Sequence, residues 1–523
     1  MIVYMSRRVW KTWLQCRGSE VGFVMNPRHL GFIAEAARGE LRNASPNDLV
    51  TGLSTDSRTI GRGDLFVALV GDRFDAHEFI TDEIGEIASA CVVESARLGG
   101  RLAGYPQIMV DDTRVALGRL AASYRQSFDL PIIAVTGSNG KTSTKRFLNA
   151  VLSQRFDVCA SPASFNNDVG VPLSLLQMGE STQVAVFEVG TNHPGEIRPL
   201  VEMIQPGFGV ITSIGRSHLE FFGSVEAVAE EKGALGEVLP RDGVLFVNGD
   251  TPFLEKLLSR VEARVVRVGF EEWNDWRIGA WEMGREGMEF SIKAEALGGY
   301  REFRLHALGR HHLINATLAI AVGAELGLTP DELKSGIAKS GAERMRLEWG
   351  GFGGVMLLDD SYNANADSMI AALKTLEAFP CSGARYGVLG DMGELGEFST
   401  EAHAEVGRVA ADCQVDHLIS VGKWSEVTRR AAADQGAESA VAYANWEAVG
   451  EMLCDQLRSG DAVLVKASRA ARLDRLVEFL KQALGSEGES VRGGHLSFDA
   501  VNALNSDGAI SAGRSGRIHR SRI

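Results

Sequence analysis

The residues Thr136-Gly-Ser-Asn-Gly-Lys-Thr142 combine two glycines, a lysine and hydroxyl groups in one short segment. In such a loop the glycines let backbone N–H groups approach phosphate oxygens, Lys141 neutralises phosphate charge and the Thr142 hydroxyl can bind Mg²⁺. A full Walker spacing would need a glycine at Val135, so this is the shorter G-x-x-G-K-T form. The segment predicts a phosphate site formed by Gly137, Ser138, Asn139, Gly140, Lys141, Thr142 and Ser143.

Three more residues could support metal or acid–base chemistry. Glu188 ends the predicted strand 184–187, at the edge where open α/β sheets bind ligands, and is a candidate Mg²⁺ ligand. The alternative for Glu188 is an edge carboxylate in solvent. His218 follows the next strand and Lys232 lies in a charged helical stretch. Taken alone, both would be surface residues more often than ligands.

The elements around these residues form an α/β pattern. Residues 131–135 predict a buried strand and 142–152 a helix, which places the loop at the start of that helix. Further strands are predicted at 184–187, 208–212 and 244–247, so the region predicts a parallel sheet of βαβ units. Residues 280–308 alternate like antiparallel strands, and 312–326 predict an alanine-rich helix.

The rest of the chain predicts two further domains. The 523 residues suit about three domains of roughly 150 residues each. The expected organisation is an extension at 1–24, a small α/β domain at 25–129, a central P-loop domain at 130–345, a Rossmann-like domain at 346–484 and a disordered basic tail at 485–523. A helical pattern begins after Met25, and the third domain has predicted strands at 354–359, 386–390, 417–421 and 462–466.

Composition excludes several classes of function. A net charge of −14 opposes binding to a nucleic-acid backbone, so no nucleic-acid partner is expected. The six cysteines are widely spaced, without a C-x-x-C pair, which favours reduced thiols in a cytoplasmic protein. No apolar run approaches the roughly 20 residues that span a bilayer, and the N-terminus is a poor signal peptide.

Several longer strings resemble the Mur ligase family over almost the whole span from Met25 to about Leu484. In the first domain they are Thr55-Asp-Ser-Arg58, Gly63-Asp-Leu-Phe-Val-Ala-Leu69 and Phe74-Asp-Ala-His77-Glu-Phe. In the central domain they are the P-loop, Asn166-Asn167-Asp-Val-Gly-Val-Pro, Glu188-x-Gly190-x-Asn192, His218-Leu-Glu and Gly309-Arg-His-His-Leu-Ile-Asn315. In the third they are Leu358-Asp-Asp-Ser-Tyr362-Asn-Ala-Asn365-Ala-Asp-Ser-Met369, Leu389-Gly-Asp-Met-Gly-Glu-Leu-Gly396 and Val465-Lys-Ala-Ser-Arg469.

The resemblance implies a role for each matched residue. Lys141, Glu188, His218 and Lys232 would be catalytic, and a carbamylated Lys232 would hold a second Mg²⁺ with Glu188 and His218. Asn315 would lie at the adenine of ATP. Across the cleft, ATP would meet Arg346, Asp360, Tyr362 and Asn363, with Arg344 an alternative to Arg346. The residues implied at the substrates are Ser57, Arg58, Asn166, Asn167, Asn365, Lys466, Ser468 and Arg469.

The third-domain strings resemble the family members that add D-alanyl-D-alanine to UDP-N-acetylmuramoyl-tripeptide. The implied reaction forms an acyl-phosphate from ATP, with hinge closure around it. The alternatives are a relative that adds one amino acid, a folate polyglutamylating enzyme, or a P-loop module without synthetic activity. The family usually has other residues at Ala76, His312, Ala366 and Ala467. The chain is expected to act as a monomer, and the third residue of the tripeptide stays open between meso-diaminopimelate and lysine.

Overall fold

The computed structural model describes residues 23–71, 74–98, 104–341 and 344–485. These residues form two compact units. The first takes its described residues from Met1–Ala134, Phe156–Thr191 and Glu196–Gly207, and the second from Val135–Arg155, Asn192–Gly195 and Phe208–Ile523. The predicted extension at 1–24 lies outside the described residues except for Phe23 and Val24, and the predicted tail lies outside them from residue 486.

The first unit contains a six-stranded sheet with the order β1-β3-β4-β5-β6-β2. Strands β3 to β6 are parallel, and the two outer pairs are antiparallel. The apolar side chains of Phe66, Ile80, Ile84, Cys91 and Val93 form its buried core. The strands are β1 (Phe23–His29), β2 (Glu40–Arg42), β3 (Leu49–Ser54), β4 (Asp64–Val67), β5 (Ala90–Glu94) and β6 (Gln107–Val110).

The same unit contains helices and a second strand group. Its helices are α1 (Leu30–Ala37), α2 (Asp82–Ile87), α3 (Thr113–Arg125), α5 (Gly170–Leu175) and α6 (Ile197–Ile204). Strands β8 (Val158–Ala160) and β9 (Val184–Glu188) pair in parallel. Strand β7 (Ile132–Thr136) is buried throughout and leads from the first unit into the second.

In the second unit, β10 to β13 are parallel and β13 to β15 form an antiparallel meander. Helices α10 and α11 pack against α4. A Cβ added at Gly323 or Gly336 would lie within 2.7 Å of Val151, so small residues permit this close packing of the helix that follows the phosphate loop. The bounds are α4 (Lys141–Leu152), β10 (Phe208–Ile211), α7 (Leu219–Phe222), α8 (Val225–Val238), β11 (Val244–Asn248), α9 (Leu254–Leu258), β12 (Arg264–Gly269), β13 (Trp276–Gly284), β14 (Gly287–Ala294), β15 (Gly299–Leu305), α10 (Arg310–Glu325) and α11 (Pro330–Lys339).

The C-terminal part of the second unit contains a sheet of order β16-β17-β21-β18-β19-β20, parallel except for the β16–β17 pair. Apolar clusters cover this sheet, as expected for a doubly wound arrangement. The bounds are β16 (Glu348–Phe352), β17 (Val355–Asp360), α12 (Ala366–Ala378), β18 (Arg385–Gly390), α13 (Ser399–Asp412), β19 (His417–Val421), α14 (Ser425–Asp434), β20 (Ala440–Tyr443), α15 (Trp446–Gln456), β21 (Ala462–Lys466) and α16 (Asp474–Leu484).

The predicted elements around the motifs are present within one or two residues of their expected bounds. The antiparallel meander predicted at 280–308 is also present, as β13 to β15. One difference lies near Met25, where the helical pattern was expected to begin. Residues 23–29 pair with β3 as a strand, and the helix begins at Leu30. Within the described ranges, no helix combines the length and apolar character needed to cross a bilayer.

Candidate active site

The phosphate loop is a tight turn between β7 and α4. Gly137 and Gly140 have φ values of 148° and 84°, which side chains rarely allow. A Cβ at Gly137 would lie 2.0 Å from the Thr212 hydroxyl, and one at Gly140 would lie 2.7 Å from the Asn315 amide. No side chain would fit at either glycine, because Thr212 and Asn315 lie directly against the loop backbone. This geometry suits phosphate binding at a helix N-terminus.

The polar side chains of the loop are held in place by its own backbone and by the segment after β10. The Lys141 ammonium donates a hydrogen bond to the Gly137 carbonyl at 2.7 Å. Thr142 and Ser143 are buried in the first turn of α4. The Ser138 backbone N–H donates to the Ser213 carbonyl at 2.8 Å, and its hydroxyl donates to the Gly215 carbonyl at 3.1 Å.

Lys232 is buried on α8, with 1% of its surface exposed, although its helix carries several acidic residues. Burial lowers the pKa of Lys232 well below its usual value, and the nearby Lys141 charge acts in the same direction. The neutral amine is therefore favoured. The expectation of a surface lysine, drawn from its charged helix alone, is wrong because tertiary packing covers this position.

His218 lies at the start of α7 with a φ of 53°. Its Nδ1 lies 2.6 Å from the Glu394 Oε2, and this contact with His218 lowers the pKa of Glu394. The backbone N–H of Glu220 donates to the Glu394 carbonyl at 3.2 Å. Glu394, in the third-domain string 389–396, therefore contacts the turn that carries His218.

A small cavity lies beside the first turns of α4. Arg146, Phe147, His312 and Arg346 are among its lining residues. The His312 ring packs edge-on against Phe147, and its buried Nδ1 has no hydrogen-bond partner in the described part of the chain. Burial lowers the pKa of His312 well below its usual value, so the ring is neutral. A neutral imidazole can donate or accept a hydrogen bond from a ligand.

Arg346 and Arg344 have different surroundings. The Arg346 guanidinium lies over the Tyr362 ring, 4.0 Å from its centroid, and lines the cavity. The Arg344 side chain is 75% exposed and pairs with Glu478 at 3.3 Å. Arg346 is therefore the better candidate for the cleft arginine.

Asp360 and Lys466 lie in register at the carboxyl ends of β17 and β21. Their side chains form an ion pair at 2.6 Å, and the Lys466 ammonium also donates to the Asn363 carbonyl at 3.0 Å. Lys466 is only 2% exposed. Three residues predicted at ATP or the dipeptide are thus brought together, and in this arrangement Lys466 supports the loop that carries Asn363.

The remaining third-domain candidates are placed differently. Asn365 caps α12 by accepting from the Ser368 N–H at 2.9 Å. Ser468 is buried and its backbone N–H donates to the Asp391 carbonyl at 3.0 Å. Arg469 has a 60% exposed side chain, 3.9 Å from Asp474.

The first unit holds the other predicted residues. Glu188 is 1% exposed, so the alternative of a solvent-facing carboxylate is wrong. Its Oε1 accepts from the Asn166 amide at 2.8 Å, and a Cβ at Gly190 would meet that amide at 2.7 Å. Asn167 accepts from the Gly170 N–H at 2.8 Å, just before α5.

Ser57 and Arg58 lie in the turn after β3. Arg58 has an 86% exposed side chain and forms a forked contact with Asp56. This contact lowers the pKa of Asp56 to about 2. The contact of Ser57 and Arg58 with a substrate stays a prediction.

Two family descriptions match the chain. Residues 135–323 match the Mur ligase middle domain and residues 345–469 match the Mur ligase glutamate ligase domain. A relative from Bacillus subtilis, a UDP-N-acetylmuramoyl-tripeptide–D-alanyl-D-alanine ligase, is 35% identical over 86% of this chain and 97% of its own length. The chain belongs to the Mur ligase family.

Solved structures are similar to this Mur ligase over most of its length. A crystal structure of MurF from Acinetobacter baumannii has a TM-score of 0.81 and 29% identity, covering 88% of this chain and 99% of its own. MurF from Thermotoga maritima in complex with ADP has a TM-score of 0.73 and 28% identity, covering 83% and 97%. The predicted three-domain α/β fold and ligase class are confirmed.

Sequence reasoning did not single out Arg216, Asp367 or Glu405. Arg216 stands between β10 and His218, and it contacts both carboxylates. The only sequence signal was its position, since it follows a strand at the edge where ligands bind.

Proposed function

We propose that this Mur ligase joins D-alanyl-D-alanine to UDP-N-acetylmuramoyl-tripeptide at the expense of ATP. The observation that carries the proposal is the glycine-bearing phosphate loop at the start of α4, in a chain that is similar to a ligase of that name over 97% of the relative's length. Activity in the cytoplasm, as a monomer, is part of the proposal.

ATP binds with its phosphates on residues 137–143. The adenine lies at Asn315, whose side-chain amide is next to Gly140 at the start of α4.

Mg²⁺ would be held by Thr142, Glu188, His218 and Lys232, as the family resemblance implies. Among the described residues no cluster of three or more His, Cys, Asp or Glu side chains could hold a metal ion. Mg²⁺ usually binds through one or two protein carboxylates together with substrate phosphates. Lys232 suits carbamylation, because its buried amine is held neutral and only a neutral amine can react with CO₂. Bound Mg²⁺ supplies charge stabilisation for the phosphoryl group.

The reaction has two balanced steps. A terminal carboxylate oxygen of the tripeptide attacks the γ-phosphorus of ATP. The bond between the γ-phosphorus and the β–γ bridging oxygen breaks, so that ADP departs and the tripeptide becomes an acyl-phosphate. The amine of D-alanyl-D-alanine then attacks the acyl carbon and loses a proton as phosphate departs. Lys141 and the loop N–H groups stabilise the charge that develops on the phosphoryl oxygens.

The remaining predicted residues bind and position the substrates. Ser57, Arg58, Asn166 and Asn167 serve the UDP-tripeptide. Asn365, Ser468 and Arg469 serve the dipeptide side, where the Asp360–Lys466 pair fixes the intervening loop. The proposal also places domain boundaries at 129/130 and 345/346. The domains are expected to close by a hinge movement over the acyl-phosphate.

A coupled assay of phosphate release tests this function. The purified chain is given ATP, Mg²⁺ and UDP-N-acetylmuramoyl-tripeptides that carry meso-diaminopimelate or lysine as the third residue, with and without D-alanyl-D-alanine. Release that requires both the tripeptide and the dipeptide is expected. Release that is supported instead by a single amino acid or a folate would replace the proposal, and release without any acceptor would indicate an ATPase without synthetic activity.

A further inference from the structure

Arg216 makes a forked contact with two carboxylates of the C-terminal sheet region. Its backbone N–H donates to the Asp367 Oδ2 at 2.6 Å, and its Nε donates to the Asp367 Oδ1 at 2.8 Å. Its Nη1 donates to the Glu405 Oε2. All three side chains are about one-third exposed or less, so solvent screens the contact only in part.

The Asp367 contact lies next to a second one between the same two regions. The side-chain amides of Asn139, in the phosphate loop, and Asn365, the cap of α12, hydrogen-bond each other reciprocally at 3.3 and 3.0 Å. Because the Asn365 Oδ1 also accepts from the Ser368 N–H, one side chain both begins α12 and touches the loop. The first turn of α12 is therefore fixed to the phosphate loop.

The segment after β10 connects the two contacts. Its Ser213 hydroxyl accepts from the Asn139 N–H at 3.0 Å, and Gly215 lies so close to Asp367 that a Cβ would be 2.4 Å from the carboxylate. Arg216 follows immediately. The segment after β10 therefore lies between the phosphate loop and the first turn of α12. Arg216, the last residue of this segment described here, supplies the positive charge of the contact with α12.

The charge of Arg216 also matters for the ligand. Asp367 and Glu405 would repel a triphosphate bound at the neighbouring loop, and the single positive charge of the guanidinium offsets one of their two negative charges. Loss of the guanidinium would therefore loosen α12 and leave two uncompensated negative charges near the phosphate site.

We propose that Arg216 is a positioning residue that holds the first turn of α12, and with it Asn363 and Asn365, against the nucleotide-bearing loop. This inference rests on the proposed function for its kinetic consequences. The contacts of Arg216 described here are with Asp367 and Glu405 of this chain.

The test compares Arg216→Met and Arg216→Lys with the matched control Arg408→Met. Arg408 also lies in this unit, on α13, but it pairs with Glu401 of its own helix. Arg216→Met is expected to raise the KM for ATP and lower kcat, with kcat/KM for ATP reduced roughly 10- to 100-fold, since small misplacements cost that much. Arg216→Lys should recover part of the loss, and Arg408→Met should match the wild type.

Two further readouts separate positioning from general damage. Hydrogen exchange should quicken for the backbone amides of 363–369 in Arg216→Met and not in Arg408→Met. In a double-mutant cycle, Asn139→Ala should lower kcat/KM for ATP by a smaller factor in the Arg216→Met background than in the wild type. This is expected because both substitutions remove the same attachment of α12 to the phosphate loop. Wild-type exchange and KM in Arg216→Met, or full additivity in the cycle, would overturn the inference.

The affinity for an ATP analogue without the other substrates is measured on the same variants. If the wild type bound the analogue but formed no amide, the proposed function would fail. A weaker affinity in Arg216→Met would still support the attachment, and an unchanged affinity together with unchanged exchange would refute it.

Discussion

Two lysines near the phosphate loop have opposite surroundings. Lys141 is half-buried and donates a hydrogen bond to a carbonyl of its own loop, whereas Lys232 is enclosed and its neutral form is favoured. Lys141 is suited to stabilise the negative charge of phosphate, and Lys232 is suited to become a carbamate that binds Mg²⁺. Their substitution should therefore affect activity and stability differently.

Replacement of Lys141 by alanine should reduce kcat/KM for ATP by about 10³-fold, because a charge that stabilises the phosphoryl transition state is lost. The thermal unfolding midpoint should change little, because Lys141 is partly exposed and not enclosed in a core. Steady-state kinetics and thermal melts check both. Lys339→Ala, on the exposed side of α11, is the control and should keep wild-type kinetics. Full activity in Lys141→Ala would contradict the assigned role.

Replacement of Lys232 by methionine should abolish ligation and raise the thermal unfolding midpoint, because burial of an amine, or of the carbamate formed from it, costs more than burial of a thioether. In ¹³C-bicarbonate, the wild type should show a carbamate resonance that Lys232→Met lacks. Lys256→Met is the control, as this exposed lysine pairs with Glu226 and Glu230 of α8. A carbamate signal that persists in Lys232→Met would refute the assignment.

At the scale of elements, the phosphate loop depends on how closely α10 approaches α4. Asn315 of α10 lies over Gly140, where α4 begins, so the loop conformation and the helix packing form one structural feature. The loop is therefore sensitive to a single methyl group.

Gly140→Ala should weaken ATP binding by at least about tenfold, because the added Cβ would meet the Asn315 amide at 2.7 Å in addition to the strain of a positive φ. Gly436→Ala separates the two effects. Gly436 has a φ of 99° with open space around it, so that variant should lose about 1 kcal/mol of stability and keep its affinity for ATP. Titration with an ATP analogue checks both variants, and equal affinities would show that the close contact is unimportant.

The sequence predicted those elements whose signals are local. The strand before Gly137, the helix after it and the meander of β13 to β15 follow from periodicity within each segment. The burial of Lys232 did not follow, because its helix reads as charged and only tertiary packing covers it. Arg216 and Asp367 are 151 residues apart, and no periodic pattern pairs side chains at that separation.

Residue roles carried over from the family resemblance were partly refined by geometry. The resemblance left Arg344 and Arg346 equivalent, and the stacking of Arg346 on Tyr362 separates them. It implies that Lys466 lies at the substrates, which stays a prediction, and the structure adds that this side chain is buried between Asp360 and Asn363. Such differences arise because a motif gives residue types, while side-chain packing decides which of them reach a ligand.

Considered as a whole molecule, the proposed ligase uses ATP to convert a carboxylate of the tripeptide into an acyl-phosphate. One carboxylate oxygen of the tripeptide must then leave with the phosphate. This oxygen transfer distinguishes the proposed chemistry from ATP hydrolysis that merely accompanies amide formation.

The most direct measurement uses UDP-N-acetylmuramoyl-tripeptide labelled with ¹⁸O in its terminal carboxylate, together with ATP, Mg²⁺ and D-alanyl-D-alanine. Mass spectrometry of the released phosphate should find one ¹⁸O for each amide bond formed. Phosphate that carries no label while amide product accumulates would contradict the acyl-phosphate mechanism.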